Sequence, residues 1–145
     1  MLPHKNLTII LILLSLILPA SKSPGQQPLL HIKIVNVEKN RGKLVVEIYK
    51  DKSDWLKSPF QKTILPTDES SQRASFNVRY GKYAISIYQD INENGKLDQN
   101  FLGIPKEPIG FGNNHKPLGK PDFESALIEH MLASEPEAIK LFSVF

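Results

Sequence analysis

The sequence of 145 residues contains no cysteine, which limits how the protein can be anchored and how its fold can be stabilised. A bacterial lipoprotein needs a cysteine at its cleavage site, so lipid attachment by that route is excluded. Disulfide bonds are excluded too, even in an oxidising compartment. The fold must therefore depend on a buried core, on a bound metal, or on both.

Strong charge of one sign is also lacking, as are the residue patterns of common enzymes. The sequence has 18 Lys and Arg residues against 15 Asp and Glu, and the basic residues form no stripe, which is evidence against nucleic-acid binding.

There is no Cys nucleophile, no G-x-S-x-G and no H-E-x-x-H, and His31, His115 and His130 are isolated. We therefore expect a non-catalytic protein. The alternative is a small hydrolase of an envelope polymer that uses Asp90 or Asp98 as acid or base.

A single long apolar run is present, and it lies at the N-terminus. Lys5 precedes the run from Leu7 to Leu18, and small residues follow it. Because a membrane-spanning helix needs roughly 20 apolar residues, this shorter run favours a cleaved signal peptide over an uncleaved anchor. We predict a signal peptide over residues 1–22, a linker over 23–30 and one domain over 31–145. The mature protein would be periplasmic or secreted and would not span the membrane.

The pattern after residue 30 predicts an all-β domain. Short runs of β-branched residues alternate with polar ones between Gly, Pro and Asn turns, which favours a single Greek-key β-sandwich of about seven strands. Residues 32–37 and 44–49 flank the turn Asn40-Arg41-Gly42 and predict a β-hairpin. The strongest strand is predicted over 81–90, whereas residues 123–131 fit either a strand or a helix. Trp55 is interpreted as an anchor on the edge of the core, with a sugar-binding platform as the alternative.

One motif carries chemistry, the acidic segment DINENGKLD at residues 90–98. It matches the first nine positions of the D-x-[DN]-x-[DN]-G calcium loop. Carbonyl and carboxylate oxygens converge when such a segment curls, and Gly95 permits the tight turn. The predicted Ca²⁺ ligands are the side chains of Asp90, Asn92, Asn94 and Asp98, with the backbone carbonyl of Lys96. Leu97 is expected to point into the core and Glu93 outward.

Two departures leave a second interpretation open. The twelfth position, which is a bidentate Glu in the helix-flanked calcium loop, is Phe101 here, and a strand enters the segment instead of a helix. Glu107 is a candidate for the missing ligand. Asn94-Gly95 is also a strong turn signal, and Asx side chains cap their own loops. The segment is therefore either a weak Ca²⁺ site or a turn that binds no metal.

Four further runs resemble a known bacterial exported family, domain of unknown function 2141. They are GKYA at 81–84, NFLGIPKEP at 100–108, GFGNN at 110–114 and PDFE at 121–124, and they surround the acidic segment. The resemblance implies a signal peptide, a transthyretin-like or prealbumin-like β-sandwich and a strand over 123–131. It implies no known reaction. The family pattern has serine where this chain has Gly112.

The richest part of this resemblance is expected to lie at one end of the sandwich, where binding loops usually cluster. A possible partner-binding loop would present Phe101, Glu107, Phe111, Asn113 and Asn114. The partner would be a protein or a glycan of the envelope, and Ca²⁺ is the only cofactor considered. The alternative is a purely structural envelope protein that binds no metal.

Overall fold

The structure, a computed structural model, describes residues 28–144. The predicted signal peptide and most of the predicted linker lie outside the described residues. Within these residues eight strands follow one another, and three short 3₁₀ turns lie between them at 52–54, 112–114 and 124–126. The strands are β1 (Leu29–Val35), β2 (Lys43–Tyr49), β3 (Gln61–Leu65), β4 (Ser71–Asn77), β5 (Gly81–Asp90), β6 (Ile109–Phe111), β7 (Leu127–His130) and β8 (Glu137–Lys140).

The strands form two sheets, so the predicted all-β sandwich is confirmed, with eight strands instead of about seven. The first sheet has the order β4-β1-β8, and β8 runs parallel to β1. The second has the order β3-β2-β5-β6, and β7 also pairs with β5. Residues 123–131 hold a 3₁₀ turn followed by β7, so this segment contains a strand and no α-helix. No helix within residues 28–144 is long and apolar enough to cross a membrane.

Strand β5 lies at the centre of the second sheet, and both of its faces are buried. Tyr83, Ile85 and Ile87 point into the layer between the two sheets, where the main apolar cluster lies. Ala84 and Tyr88 point to the opposite face, where a second cluster includes Phe111 and Trp55. Period-two alternation in the sequence predicts these two faces. The loop after Asp90 therefore starts from a strand that is buried on both faces.

The predicted hairpin between the first two strands is wrong. Strand β1 pairs with β4 and β8, whereas β2 pairs with β3 and β5. The two strands face each other across the core, so Ile34 and Val46 belong to the same buried cluster. Two β-branched runs around a turn are compatible with pairing edge to edge or packing face to face. The seven residues between β1 and β2 are enough to cross from one sheet to the other.

Buried polar side chains hold this crossing segment in place. Gln89 is fully buried, and its amide accepts the Glu38 N–H at 2.9 Å and donates to the carbonyls of Glu38 and Arg41, each at 2.7 Å. Thr67 accepts the Arg41 N–H at 3.1 Å and donates to the carbonyl of Gly42 at 3.1 Å. These bonds satisfy backbone groups that no ladder reaches.

Gly42 has to be a glycine for two reasons. Its φ of +60° lies in the left-handed region, and a Cβ added there would lie 1.9 Å from the carbonyl oxygen of Asp90. The crossing segment thus reaches the residue at which the acidic loop begins. This close contact lies at the end of the sandwich that carries the candidate site.

Candidate functional site

The acidic loop begins at the buried end of β5. Asp90 is only 3% exposed. One oxygen of its carboxylate accepts the Asn94 N–H at 3.1 Å, and the other accepts the Gly95 N–H at 2.7 Å. The left-handed φ values of Glu93 and Gly95, 57° and 82°, allow the chain to curl back to Asp90. The curl expected from the motif is therefore present.

The polar side chains of the loop converge on Asp98. The amide nitrogen of Asn92 donates to Asp98 at 2.6 Å, and that of Asn94 donates to the two Asp98 oxygens at 3.0 and 3.1 Å. These hydrogen bonds, first from Asn94 and then from Asn92, lower the pKa of Asp98 below its ordinary value. They thus favour the ionised form of this carboxylate, which is the form that binds a metal.

Leu97 and Glu93 have the orientations that the motif predicts. Lys96 donates its backbone N–H to the side-chain oxygen of Asn94 at 3.1 Å, and its own side chain is exposed. Leu97 packs against the outer apolar cluster. Glu93 is exposed and forms a 3.4 Å ion pair with Lys43. Among residues 28–144 no three His, Cys, Asp or Glu side chains come together as a metal-binding group, so a cation here would depend on amide and carbonyl oxygens.

The Glu107 side chain is bonded to both ends of the acidic loop. It is 5% exposed, and its two oxygens accept the Ile91 N–H at 2.8 Å and the Asp98 N–H at 3.0 Å. Its carboxylate thus joins the first and last parts of the loop. Glu107 was expected to supply a missing ligand or to face a partner. The structure corrects the second role, because the side chain is buried and both oxygens are bound within the fold.

Tyr88 makes a contact with the acidic loop that the sequence motif does not predict. Its hydroxyl donates to the carbonyl of Gly95 at 3.4 Å. Burial, followed by the negative charges of Glu47, Asp90 and Glu107, raises the pKa of Tyr88 to about 12. The hydroxyl therefore remains a donor at every physiological pH. The sequence does carry a signal for this contact. Tyr88 precedes Asp90 by two residues in β5, so the two side chains lie on the same face of the strand.

A short hairpin follows the acidic loop. Lys106 donates its backbone N–H to the carbonyl of Asp98 at 2.9 Å, and Gln99 bridges Pro105. Phe101 lies at the tip and is 95% exposed. A cavity of about 280 Å³ at the base of the hairpin is lined by Asn92, Asp98 and Glu107, among other residues. Of the five residues predicted to face a partner, Phe101 is the one presented most fully to solvent.

Of the other three predicted partner-binding residues, Phe111 is buried, whereas Asn113 and Asn114 are exposed but bonded to backbone groups of the fold. Phe111 is buried in the outer apolar cluster. Asn113 donates its amide to the carbonyl of Leu127, and Asn114 bonds both the carbonyl of Ala138 and the N–H of Lys140. Asn113 lines a different cavity, of about 460 Å³, far along β5 from the acidic loop. The acidic loop and the segment around Asn113 therefore do not lie at the same end of the sandwich, so the expectation that they do is wrong.

Trp55 is an anchor and offers no platform to a sugar. It is 6% exposed, its indole N–H donates to the carbonyl of Pro121 at 3.0 Å, and its ring contacts Tyr49, Phe111 and Phe123. Buried indoles usually find such a hydrogen-bond partner. The ring fastens the long loop after β6 to the outer face of the second sheet.

Gly112 departs from the family pattern for a local structural reason. A Cβ at this position would lie 2.1 Å from the carbonyl oxygen of Ala126. The 3₁₀ turn at 124–126 packs directly on the backbone here, and a serine would need this contact to open. The difference between glycine and serine at this position therefore changes the packing against Ala126, although it is a small departure from the family pattern.

These observations define the class of protein first: a cysteine-free, two-sheet β-sandwich with an ordered acidic loop at the end of its central strand. The particular family follows from comparison with known sequences. Residues 32–137 match domain of unknown function 2141, described as an uncharacterized protein conserved in bacteria, and the chain belongs to this family. Neither a curated protein nor a solved structure is significantly similar to it.

Proposed function

We propose that this protein is an exported, non-catalytic accessory module of the bacterial envelope whose Asp90–Asp98 loop binds Ca²⁺. One observation carries the metal proposal, the convergence of the Asn92 and Asn94 amides on the Asp98 carboxylate. The oxygens of these two amides each accept one backbone N–H, from Asn94 and Lys96 respectively. A small rotation that releases the amide nitrogens from Asp98 would turn the remaining lone pairs of these oxygens towards a cation. The side-chain oxygens would then face one point together with Asp98.

The supporting chemistry is that of a weak calcium site. Ca²⁺ takes oxygen ligands from carboxylates, amides and backbone carbonyls, and Asp90, Lys96 and the two asparagines offer such groups in one curl. The oxygens of Asp90 each accept one N–H, which leaves further lone pairs for a cation. Since only two charged ligands are present, we expect a Kd of about 10⁻⁴–10⁻³ M, as in extracellular modules.

Export is supported by the N-terminal apolar run and the small residues that follow it. A non-catalytic role is favoured over hydrolysis by the surroundings of the two carboxylates. Asp90 is buried and accepts backbone N–H groups of its own loop, whereas Asp98 accepts asparagine amides at the surface. An acid–base pair needs two carboxyl groups that face one substrate cleft, whereas both oxygens of Asp90 are turned towards backbone N–H groups of its own loop.

The first prediction is that Ca²⁺ raises the melting temperature. At ten times the Kd, binding stabilises the folded state by about 1.4 kcal/mol, which corresponds to several degrees for a domain of this size. Differential scanning fluorimetry in millimolar Ca²⁺, followed by EDTA, measures the shift and its reversal. Asp98→Asn is expected to abolish the shift because it removes one of the two charged ligands.

The matched control is Glu93→Gln, which removes a carboxylate from the same loop at a position that points outward. This variant is expected to keep the full Ca²⁺ shift. A wild-type protein that does not respond to Ca²⁺, or an equal response in Asp98→Asn, would refute the metal site. Asp90→Ala is less informative because the loop also needs this carboxylate for its own backbone bonds.

A purely structural envelope protein is the second candidate, and the asparagines after β6 favour it. Asn113 and Asn114 are engaged with backbone groups of β7 and β8. If every loop serves only the fold, changes at Phe101 will leave all partner contacts of the protein intact. A pull-down from envelope extract that loses a partner on Phe101→Ser would refute this second candidate.

A further inference from the structure

A cavity of about 480 Å³ lies at the end of the sandwich opposite the acidic loop, and its volume is that of a small-molecule site. The first residues of β1 form one side of it, and residues next to the end of β7 form the other. Because His130 pairs with Gly81, the cavity lies at the start of β5, whereas the acidic loop follows the last residue of that strand. The two sites are therefore separated by the length of β5.

His130 borders this cavity and has a nitrogen atom that the fold does not use. The residue ends β7 and is 5% exposed. Because it follows Ile128 by two residues, its side chain points with that of Ile128 into the layer between the sheets. No hydrogen-bond partner for its Nε2 atom is present among residues 28–144. Since an unpaired buried polar atom lowers stability, we expect a group that enters the cavity to be its partner.

Two other polar side chains of the cavity wall are bonded within the fold. The Nδ1 atom of His31 lies 2.8 Å from the hydroxyl of Ser75. The Ser134 hydroxyl donates to the carbonyl of Glu129 at 3.3 Å. His31 and His130, which are isolated in the sequence, thus line the same cavity, and His130 is the one with a ring nitrogen left to bind a ligand.

Exposed apolar side chains form much of the remaining wall. Leu29, Tyr80 and Met131 are each roughly half exposed, and Leu132 is 86% exposed. Single exposed apolar residues are ordinary, but four that line one cavity are typical of a binding site. Tyrosine and methionine favour an aromatic ligand in particular, because they form ring–ring and sulfur–ring contacts.

The charges around the cavity balance one another. Three segments form its surroundings, residues 28–33, 78–82 and 129–137, and their charged residues are Lys33, Arg79, Lys82, Glu129, Glu135 and Glu137. Three positive charges therefore stand against three negative ones. Neither an anion nor a cation gains a net attraction from such a set, so a neutral ligand is favoured.

We propose that this cavity binds a neutral aromatic molecule that carries a hydroxyl group. A nitrogen of a neutral imidazole is a donor or an acceptor, depending on the tautomer, and a hydroxyl is both, so it can pair with Nε2 of His130 in either case. The Tyr80 ring packs on the imidazole with 5.0 Å between the ring centroids, and this half-exposed ring would turn aside to admit the hydroxyl. The site goes beyond the accessory role proposed above and does not depend on the metal.

The test is a titration with phenol and with benzene, which differ by the hydroxyl alone, followed by ¹H–¹⁵N NMR in EDTA. Because all eight strands and both buried clusters lie within residues 28–144, the protein is produced from Ser23 onward. We expect both ligands, at millimolar concentration, to shift the backbone signals of lining residues such as Leu29 and Met131. Phenol is expected to shift the ring-nitrogen signal of His130 more than benzene does, since it alone donates or accepts a hydrogen bond.

The variant His130→Phe removes the nitrogen and keeps a planar ring at the cavity wall. Its affinity for phenol is expected to fall at least about threefold, while its affinity for benzene stays within about twofold of wild type. We expect its melting temperature not to fall, because an apolar ring replaces a buried polar group without a partner. The matched control is Phe101→Ser, an exposed aromatic residue at the opposite end of the sandwich, which is expected to bind both ligands as wild type does.

Wild type without shifts at the lining residues, or an unchanged affinity of His130→Phe for phenol, overturns the proposal. If His130→Phe does not fold, the ring-nitrogen signal of wild type decides, and equal shifts with phenol and benzene overturn it. Binding by a protein that begins at Gln27 but not by one that begins at Ser23 would assign the cavity to the chain's own N-terminal segment and would overturn it too. Because the titrations are made in EDTA, this site and the Ca²⁺ site fail separately.

Discussion

Glu107 holds the acidic loop together through its charge and its two oxygens. A carboxylate that accepts two backbone N–H groups in a buried setting forms charge-assisted bonds, which are stronger than neutral ones. Because the two donors, Ile91 and Asp98, lie seven residues apart in the chain, this one side chain ties both ends of the loop. Its effect is structural, and the loop has its curled shape before any cation binds.

We predict that Glu107→Gln destabilises the protein by about 1–3 kcal/mol. The amide NH₂ of glutamine would face one of the two backbone N–H donors, so that donor would be buried without an acceptor. Urea unfolding followed by tryptophan fluorescence measures the change, since Trp55 is the only tryptophan. Glu93→Gln, at an exposed position in the same loop, is expected to change stability by less than ~0.5 kcal/mol. Equal effects of the two changes would contradict this role.

Strand β5 positions the site because it pairs with three other strands and is buried on both faces. Its register with β2 places Asp90 opposite Lys43, next to Gly42. The left-handed Gly42 lets the crossing segment approach the Asp90 backbone without a side chain in between. The geometry of the loop thus depends on a residue more than forty positions earlier in the chain.

We predict that Gly42→Ala is more damaging than a left-handed glycine change elsewhere. Both Gly42 and Gly103 have positive φ, which costs alanine roughly 1–2 kcal/mol. At Gly103 nothing lies within 4 Å of an added Cβ, whereas at Gly42 the Asp90 carbonyl oxygen lies 1.9 Å away. We expect Gly42→Ala to exceed Gly103→Ala by at least about 2 kcal/mol in urea unfolding. Similar losses would show that the contact with Asp90 relaxes freely.

The last strand joins the two sheets of the molecule. Strand β8 pairs with β1 of the first sheet, and a few residues later Phe142 bridges Ile109 of the second. Leu141 lies between these pairings, 2% exposed, and its N–H donates to the carbonyl of Val35 at 3.0 Å. Without a disulfide, this crossing and the buried clusters are what keep the two layers together.

We predict that Leu141→Ala lowers the free energy of unfolding by about 2–5 kcal/mol. The change leaves a cavity where both sheets meet, so both layers should lose stability in one cooperative transition. Thermal unfolding followed by near-UV and far-UV circular dichroism would show coincident curves at a lower midpoint. Val144→Ala, at a half-exposed position three residues later, provides the control. Two separated transitions would show that the sheets unfold independently.

Local patterns in the sequence predict much of the fold class. Period-two alternation predicts the two faces of β5 correctly, and the strand predicted over 81–90 is observed at Gly81–Asp90. The curl at Asp90 also follows from local chemistry, since Asx side chains and Gly95 act within a few residues. Ca²⁺ binding and export remain predictions, one tested by the melting experiment and the other lying outside residues 28–144.

Pairing across the core could not be inferred in this way. The run before Asn36 and the run after Gly42 read as a hairpin, yet they lie in different sheets, because alternation specifies which side chains are buried and not which strand lies beside them. Glu107, Phe111, Asn113 and Asn114 read as a binding loop for the same reason. Whether a polar or aromatic side chain faces solvent or closes a distant backbone gap depends on neighbours far away in sequence, and packing alone brings those neighbours into contact.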